Sequence, residues 1–408
     1  MVKESSAFHP RCTSKNMKYL KNSNRAAVIR ALALNRAKNR TELASVLNLT
    51  RMAISNIANE LIDEALIEEV SSGAADANLA PNGRPPRQLT ITDWSIPAIC
   101  INIRRYSVSC MLMDIKGNKK YHSTCPLPVD ADNDSIMTIL ISLISDIIRR
   151  SSDIPVLGIG ISSIGPLDIY KKKLLNPPDF RNIKNLDIGE NLKNHFDLPV
   201  YIDNDMNCSA LAELFFGTGS YRRDFVFLGF SSGVGAGIIM NEKIIHGFGG
   251  FAGEVGHISV NPFGPICPCG QNGCIELYTR GENILRNVGL KNFEELNTLL
   301  DSPDTPHFIL SSISEYKRVM HSLLVAVANS YDPDIIILGD IDLTFIQRFI
   351  PEFEEYVNIH MLSQGYQHVR IVPSTLADSA PLYGAGSIVF QRVFDGEIAL
   401  PNLQNQEG

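Results

Sequence analysis

From Asn24 to Leu34 the apolar positions Ala27, Val28, Ala31, Leu32 and Leu34 recur at helical spacing and predict an amphipathic helix. Arg40–Leu47 predicts a second, short helix, and Asn48-Leu49-Thr50 a turn in which Thr50 can cap the next helix. That third helix runs from Arg51 to about Glu64. It buries Ile54, Ile57, Ala58, Leu61 and Ile62 and offers Arg51, Met52, Ser55, Asn56 and Asn59 on its other face. Leu66–Val70 and Arg87–Ile91 read as two strands, and Ser71–Pro86 between them has the Ala, Asn, Gly and Pro content of a loop. This order predicts an all-α, winged helix-turn-helix domain over residues 1–92, with polar side chains of the size that reads base edges in a double-stranded DNA operator. Arg84, in the Gly83-Arg84-Pro85 linker, suits a narrow minor groove. The competing reading is a trihelical protein-docking bundle; the short second helix, the three-residue turn and the wing favour DNA.

Beyond Pro97 the pattern becomes α/β. Ala98–Ile103, Ser107–Asp114, Val156–Ser162, Val200–Ile202, Phe225–Phe230 and Ile335–Leu338 read as strands, and Ser135–Arg150 and Glu315–Asn329 as helices. The strands run into acidic or glycine-rich loops: Gly165-Pro166-Leu167-Asp168, Asp203-Asn204-Asp205-Met206-Asn207, and Ser231 to Gly237. Such alternation predicts a two-lobed α/β body with a cleft between the lobes, assigned to residues 93–400.

At 408 residues the chain has room for two or three domains. No apolar run reaches the ~20 residues of a membrane span. Ile136–Ile148 comes nearest and ends in Arg149-Arg150, and no charged-then-apolar leader opens the chain, so a soluble cytoplasmic protein with no membrane partner is expected. The net charge of −7 divides into +5 over residues 1–90 and −12 over the rest, which fits a nucleic-acid head on a body that binds none.

One histidine and three cysteines, His257, Cys267, Cys269 and Cys274, fall within eighteen residues. Three thiolates and an imidazole complete a tetrahedral zinc set with no position for a catalytic water, so Zn2+ here would be structural. The metal would fold a loop at 253–276 and fix the His257 ring, leaving its other nitrogen to meet a ligand. Without export a disulfide is disfavoured. The scattered Cys12, Cys100, Cys110, Cys125 and Cys208 read as buried thiols.

On these motifs the chain resembles the ROK family, named for repressors, open reading frames and sugar kinases, over nearly its whole length. Glu254-x-x-His257, Cys267-x-Cys269-x4-Cys274-x-Glu276 and Asp203-Asn204-Asp205-x-Asn207 carry the resemblance, and the winged helix with its Gly-Arg-Pro linker is similar to that of the xylose and N-acetylglucosamine repressors. The resemblance implies an actin-like, ribonuclease-H-like sugar-kinase fold, with Gly165, Asn204, Asp205, Glu254, His257 and Glu276 as sugar ligands. In the family's kinases Asp205 would be the general base. Their first phosphate loop reads Asp-x-Gly-Gly-Thr, where this chain has Asn102-Ile103-Arg104-Arg105-Tyr106, so no ATP and no catalysis are expected. The second loop, Ser232–Gly237, is nearly intact and its glycines read as packing needs. Leu338-Gly339-Asp340 departs from the kinases near the adenosine side. The expected function is a sugar- or sugar-phosphate-responsive transcriptional regulator acting as a homodimer or homotetramer, a repressor whose grip on DNA the cleft modulates. A sugar kinase with a DNA-binding head, or a regulator controlled by a partner protein, stand as alternatives.

Overall fold

The computed structural model of the chain describes residues 17–70, 87–178, 180–230, 233–339 and 341–403, with side chains from residue 20 onward. Cys12, the loop 71–86 with Arg84, Ser231, Ser232, Asp340 and the residues beyond 403 lie outside the described residues. The chain divides into two compact units, one of residues up to Thr92 with those from Gln391 onward, the other of Asp93–Phe390.

The first unit contains α1 (Met17–Ala33), α2 (Arg40–Leu47), α3 (Arg51–Asp63) and an antiparallel ribbon of β1 (Ile67–Val70) and β2 (Gln88–Ile91), with Ile67 opposite Ile91. Its core is Val28, Ile29, Leu32, Leu43, Ile54, Ala58, Leu61, Leu66, Leu89 and Ile91. Ala27 and Ile62 are only half buried, and Ala26 and Ile29 take the space instead. α1 begins earlier than Asn24 because charge holds its polar first turns. Lys21 pairs with Glu60 at 2.9 Å, and Arg25 grips both Glu60 and Glu64, a link that apolar periodicity does not register.

Residues assigned from sequence to the body also pack here. The Phe394 ring lies 6.0 Å from the Arg30 guanidinium, and the Leu403 N–H donates to the Glu64 carbonyl at 3.3 Å.

The helix ends follow the capping rules. Thr50 accepts from the Ala53 N–H at 3.2 Å, and Asn48 closes α2 in the left-handed region (φ 52°). Asn39 accepts from the N–H groups of Thr41 and Glu42, and the Glu42 carboxylate reaches back to the Lys38 N–H at 2.7 Å, a reciprocal cap of the kind in which side chain and backbone satisfy each other. Asn39→Ala is expected to cost this unit about 1–2 kcal/mol, seen as an earlier urea transition in a probe placed on α2.

The second unit is built on two five-stranded sheets of the same plan. The first half runs β3 (Pro97–Ile103), β4 (Ser107–Asp114), β5 (Lys119–Pro126), α4 (Asn133–Arg150), β6 (Ile159–Ser163), a small sheet of β7 (Leu167–Asp168), β8 (Lys173–Leu174) and β9 (Leu186–Asp187), then α5 (Ile188–Phe196), β10 (Val200–Asn204) and α6 (Asp205–Phe216). The second half runs β11 (Phe225–Gly229), β12 (Gly235–Met240), β13 (Lys243–Ile244), α7 (Glu276–Thr279), α8 (Gly281–Val288), α9 (Phe293–Leu300), α10 (His307–Tyr331), β14 (Ile335–Gly339), α11 (Leu343–Gln347), α12 (Ile350–His360), β15 (Arg370–Pro373) and α13 (Ala380–Phe394). The strand orders are β10-β6-β3-β4-β5 and β13-β12-β11-β14-β15. Each is an antiparallel meander with two parallel strands added beside its first strand. The central strands are buried on both faces, which explains why Ile335–Leu338 is an unbroken apolar run. β5 escaped the sequence reading because most of its residues are partly exposed and polar.

Gly235 to Gly237, read from sequence within the second phosphate loop, begin β12, with Ala236 opposite Leu228. A Cβ on Gly237 would stand 2.3 Å from the Met206 carbonyl oxygen of α6, so this glycine exists for close strand–helix packing. α13 also packs at backbone distance. A Cβ on Gly384 would stand 1.9 Å from the Cys208 carbonyl oxygen of α6, and one on Gly160 of β6 would stand 1.7 Å from that of Ala385.

Candidate functional site

β10 ends where α6 begins, and that junction places the chemistry. Asn204 is the N-cap of α6, its Oδ1 accepting from the Met206 N–H at 2.9 Å. Asp205 is the first helical residue, and its carboxylate accepts from the same N–H at 3.0 Å. A carboxylate there is stabilised by the positive end of the helix. The buried Asp203 braces the turn from beneath. It accepts from the Asn204 N–H and from Asn207 Nδ2, each at 2.8 Å, and lies 2.6 Å from His246 Nε2. His246 was not singled out from sequence. Its signal was its place at the head of the glycine-rich run from Gly247 to Gly253.

A cavity of about 370 Å³ opens at this junction. Gly165, Asn204, Asp205, Glu254, His257 and Glu276, the six sugar-ligand positions implied by the resemblance, all line it. Gly165 approaches closely, since a Cβ on it would stand 3.2 Å from Asn204 Nδ2. Glu276 accepts from the Val234 N–H at 3.1 Å. Burial pushes the Glu254 carboxyl above its usual range, with the His257 ring drawing it back and the Glu276 carboxylate adding to the rise. The wall thus mixes carboxylates, an amide and an imidazole with the apolar Ile164, Met206, Val234 and Phe251, a combination suited to a polyol with one apolar face. Arg105 and Phe251 are also on this wall, as are Asn176 and Arg280, which were not among the sequence candidates for sugar contact.

His257, Cys267, Cys269 and Cys274 present ligand atoms that all lie within 4.8 Å of one another. Cys267 Sγ is 3.7 Å from His257 Nδ1, and Cys269 Sγ is 3.6 Å from Cys274 Sγ. Tetrahedral zinc would set these separations at about 3.6 and 3.8 Å, so the residues fit the ion. The loop is pre-shaped by backbone bonds. Cys267 and Gln271 form a turn (2.7 Å), Gln271 Nε2 donates to the His257 carbonyl at 3.0 Å, and Ser259 bridges to Cys274. Gly273 is required, with φ +63° and with a Cβ position 1.9 Å from the Asn261 carbonyl oxygen. Since Nδ1 faces the thiols, Nε2 of the same ring is the nitrogen left over.

In the first unit, α3 presents Arg51, Met52, Asn56 and Asn59 exposed and Ser55 half exposed, on the face opposite Ile54, Ile57, Ala58 and Leu61. Asn59 accepts from Arg40 Nη2 at 2.8 Å, and Arg40 also pairs with Glu69. Arg40 therefore belongs to this face, which sequence spacing did not reveal. Among the described residues no helix is long and apolar enough to cross a membrane.

Comparison with known proteins agrees with this architecture. The ROK family pattern matches residues 98–392. A xylose repressor of Caldicellulosiruptor bescii is 26% identical, the match covering 92% of this chain and 97% of the relative. The DNA-binding transcriptional dual regulator NagC of Escherichia coli is 24% identical over 96% of this chain and 98% of its own. The crystal structure of a ROK family transcriptional regulator, a homologue of the Escherichia coli Mlc protein, superimposes with a TM-score of 0.76 at 24% identity, covering 92% and 97% of the two chains. A ROK glucokinase of Streptomyces griseus, solved with glucose and AMPPNP, gives 0.60 at 23% identity over 72% and 99%. The body has the two-lobed, actin-like sugar-kinase fold. The chain belongs to the ROK family.

Proposed function

We propose that this protein is a DNA-binding transcriptional repressor whose grip on its operator is set by a sugar in the cleft, and that it is not a sugar kinase. The observation that carries the reading is the pairing, in one chain, of a helix with an exposed Arg51–Asn59 face and a cavity lined by six sugar-type ligands. The relatives that match it nearly end to end bear the names of repressors and regulators. α3 would lie in the major groove with Arg51, Met52, Ser55, Asn56 and Asn59 toward the bases and Arg84 in the minor groove. Two heads on a homodimer, or four on a tetramer, would read a palindrome with half-sites about 10 base pairs apart. Such a protein acts where the DNA is, in the cytoplasm.

The side chains at the first phosphate loop support the non-kinase reading. Asn102 is buried in β3. Arg104 donates to the Asp378 carbonyl at 2.7 Å and Arg105 to the Pro178 carbonyl at 2.6 Å, so two anchored side chains occupy the place where glycines would let phosphates approach the backbone. Zn2+, when bound to His257 and the three thiolates, supplies a rigid tetrahedral anchor. This chain's residues then do the recognising, with Asn204 and Glu276 held by backbone bonds and Nε2 of His257 oriented toward the ligand. A sugar that fits one lobe arrangement better shifts the protein toward it, and only that difference in affinity can move the heads.

Selection of random duplex DNA by the zinc-loaded protein, followed by a sugar panel with and without Mg-ATP, tests the proposal. A palindrome released by one sugar, with no ADP formed, is expected. Sugar-dependent ADP release would replace this reading with the kinase one. On the selected site, Arg51→Ala is expected to cost about 1–3 kcal/mol and to relax the sequence preference at one base pair, measured by fluorescence anisotropy against single-base operator variants.

A further inference from the structure

We propose that Glu213 is a positioning residue that carries sugar occupancy out of the cleft, by tying the end of α6 to the start of α13. This concerns the regulation exerted by the sugar site described above and rests on that reading. α6 begins at the cleft, with Asn204 as its cap and Asp205 as its first residue, and every residue from Met206 to Phe215 is buried. A helix packed so closely cannot bend independently of its neighbours, so a shift of its first turn is passed along its length of about 18 Å to its last. Glu213 sits in that last turn. α13 starts at Ala380 and ends at Phe394, and so runs past Phe390, beyond which the chain folds with the first unit. The two helices already touch at mid-length, where a Cβ on Gly384 would stand 1.9 Å from the Cys208 carbonyl oxygen, and the Phe216 and Tyr383 rings meet edge to face at 5.8 Å.

The tie is built around a carboxylate. Glu213 accepts from the Ser374 hydroxyl at 2.5 Å, from the Thr218 N–H at 2.7 Å and from the Leu376 N–H at 3.5 Å. Ser374 Oγ in turn accepts from the Ala377 N–H at 3.0 Å, and Thr218 Oγ1 lies 3.3 Å from Thr375 Oγ1. One carboxylate thus organises residues 374–377, the lead-in to α13. Ala377 is held there at φ +47°, a left-handed conformation that an alanine keeps only when its surroundings enforce it. Gly217 leaves the space, since a Cβ on it would stand 2.0 Å from Glu213 Oε2. Burial raises the Glu213 carboxyl above its usual range, and the groups that draw it back are all neutral: Ser374, Thr375 and the N–H groups of Thr218 and Leu376. Tethering alone does not require an acid, because an amide would fill the same space. A buried carboxylate adds steepness. Its donors stabilise it only at hydrogen-bond distance, and a shift that withdraws them leaves a buried charge unpaired. Residues 374–377 must therefore follow α6 or part from it outright, the two-position behaviour that a switch requires.

The test uses the zinc-loaded full chain, the operator selected as above, and xylose, glucose and N-acetylglucosamine. Three quantities are read: sugar affinity by calorimetry, operator affinity by fluorescence anisotropy, and the factor by which saturating sugar weakens the operator complex. In the parent protein that factor is expected to reach about tenfold or more with one of the sugars. Glu213→Gln is expected to keep both separate affinities within about threefold of the parent while pulling the factor toward one. Should Glu213→Gln fail to fold, Ser374→Ala removes one donor, leaves the acid, and should lower the factor partway. A merely structural role would lower the melting temperature and leave the factor at its parental value; that result overturns the proposal and leaves the sugar site standing. A loss of sugar affinity with the factor intact at saturation also overturns it, by making Glu213 a support of the pocket. If none of the sugars binds the parent protein, the sugar reading and this proposal fall together.

Discussion

Gly160→Ala is expected to leave the body unable to fold. The new methyl would stand 1.7 Å from the Ala385 carbonyl oxygen and 3.1 Å from a Val389 methyl. The first of these is backbone in the middle of α13, which cannot swing aside as a side chain could. Relief would require α13 to lift from β6, but α13 is also held at Gly384, where its backbone meets that of α6. The cost should exceed about 4 kcal/mol, the range reached when a core is overpacked against rigid atoms, and most small proteins have only about 5–15 kcal/mol to lose. Soluble yield and the thermal transition of the variant measure it. A melting temperature within a few degrees of the parent would show that the two helices slide far more easily than their packing implies.

The second large effect is expected from Cys274→Ser. Cys274 is fully buried and bridges to Ser259, so it closes the loop and would be the inner ligand of a metal held by the cluster. Structural zinc sites carry apparent binding free energies of about 10–16 kcal/mol in small peptides, and a missing thiolate forfeits much of that. Metal content should drop from about one zinc per chain to nearly none, and sugar affinity should fall with it, because the His257 ring loses what fixes its orientation. Cys269→Ser, at the exposed thiol, should do the same more mildly. Full zinc content in Cys274→Ser, or an unaltered sugar dose response in Cys269→Ser, would separate the cysteine cluster from the pocket.

Much of this architecture was written in local patterns. The second and third helices could be read because their caps, Asn39 and Thr50, act within three residues, and the apolar face of α3 repeats at helical spacing. The clustering of His257 with the three cysteines could be read because the four fall in one short segment. What escaped depends on pairings distant along the chain. Asp203 and His246 meet at 2.6 Å across 43 positions. Glu213, which no local pattern marks, is buried where Ser374 donates to it and the Thr218 N–H closes over it at 2.7 Å; burial raises its carboxyl above the usual range. No window of a few residues contains both partners of such a pair. The glycines of β12 were legible as packing devices, yet as a strand they were not, since alternation is lost when every other position must be empty to admit α6.

The two halves of the body share one strand plan but differ in what is spliced into it. In the first, the meander passes to its crossover helix through residues 127–132; in the second, the same step spans residues 245–306 and contains the cysteine cluster, Glu254, His257, Glu276 and Arg280. The largest difference between the halves thus carries half of the six sugar-type positions of the cavity, Glu254, His257 and Glu276. Grafting that segment between related chains, or trading it for a shorter one, is therefore a more direct route to a new ligand preference than altering the scaffold strands, whose Cβ-free contacts leave almost no room for change.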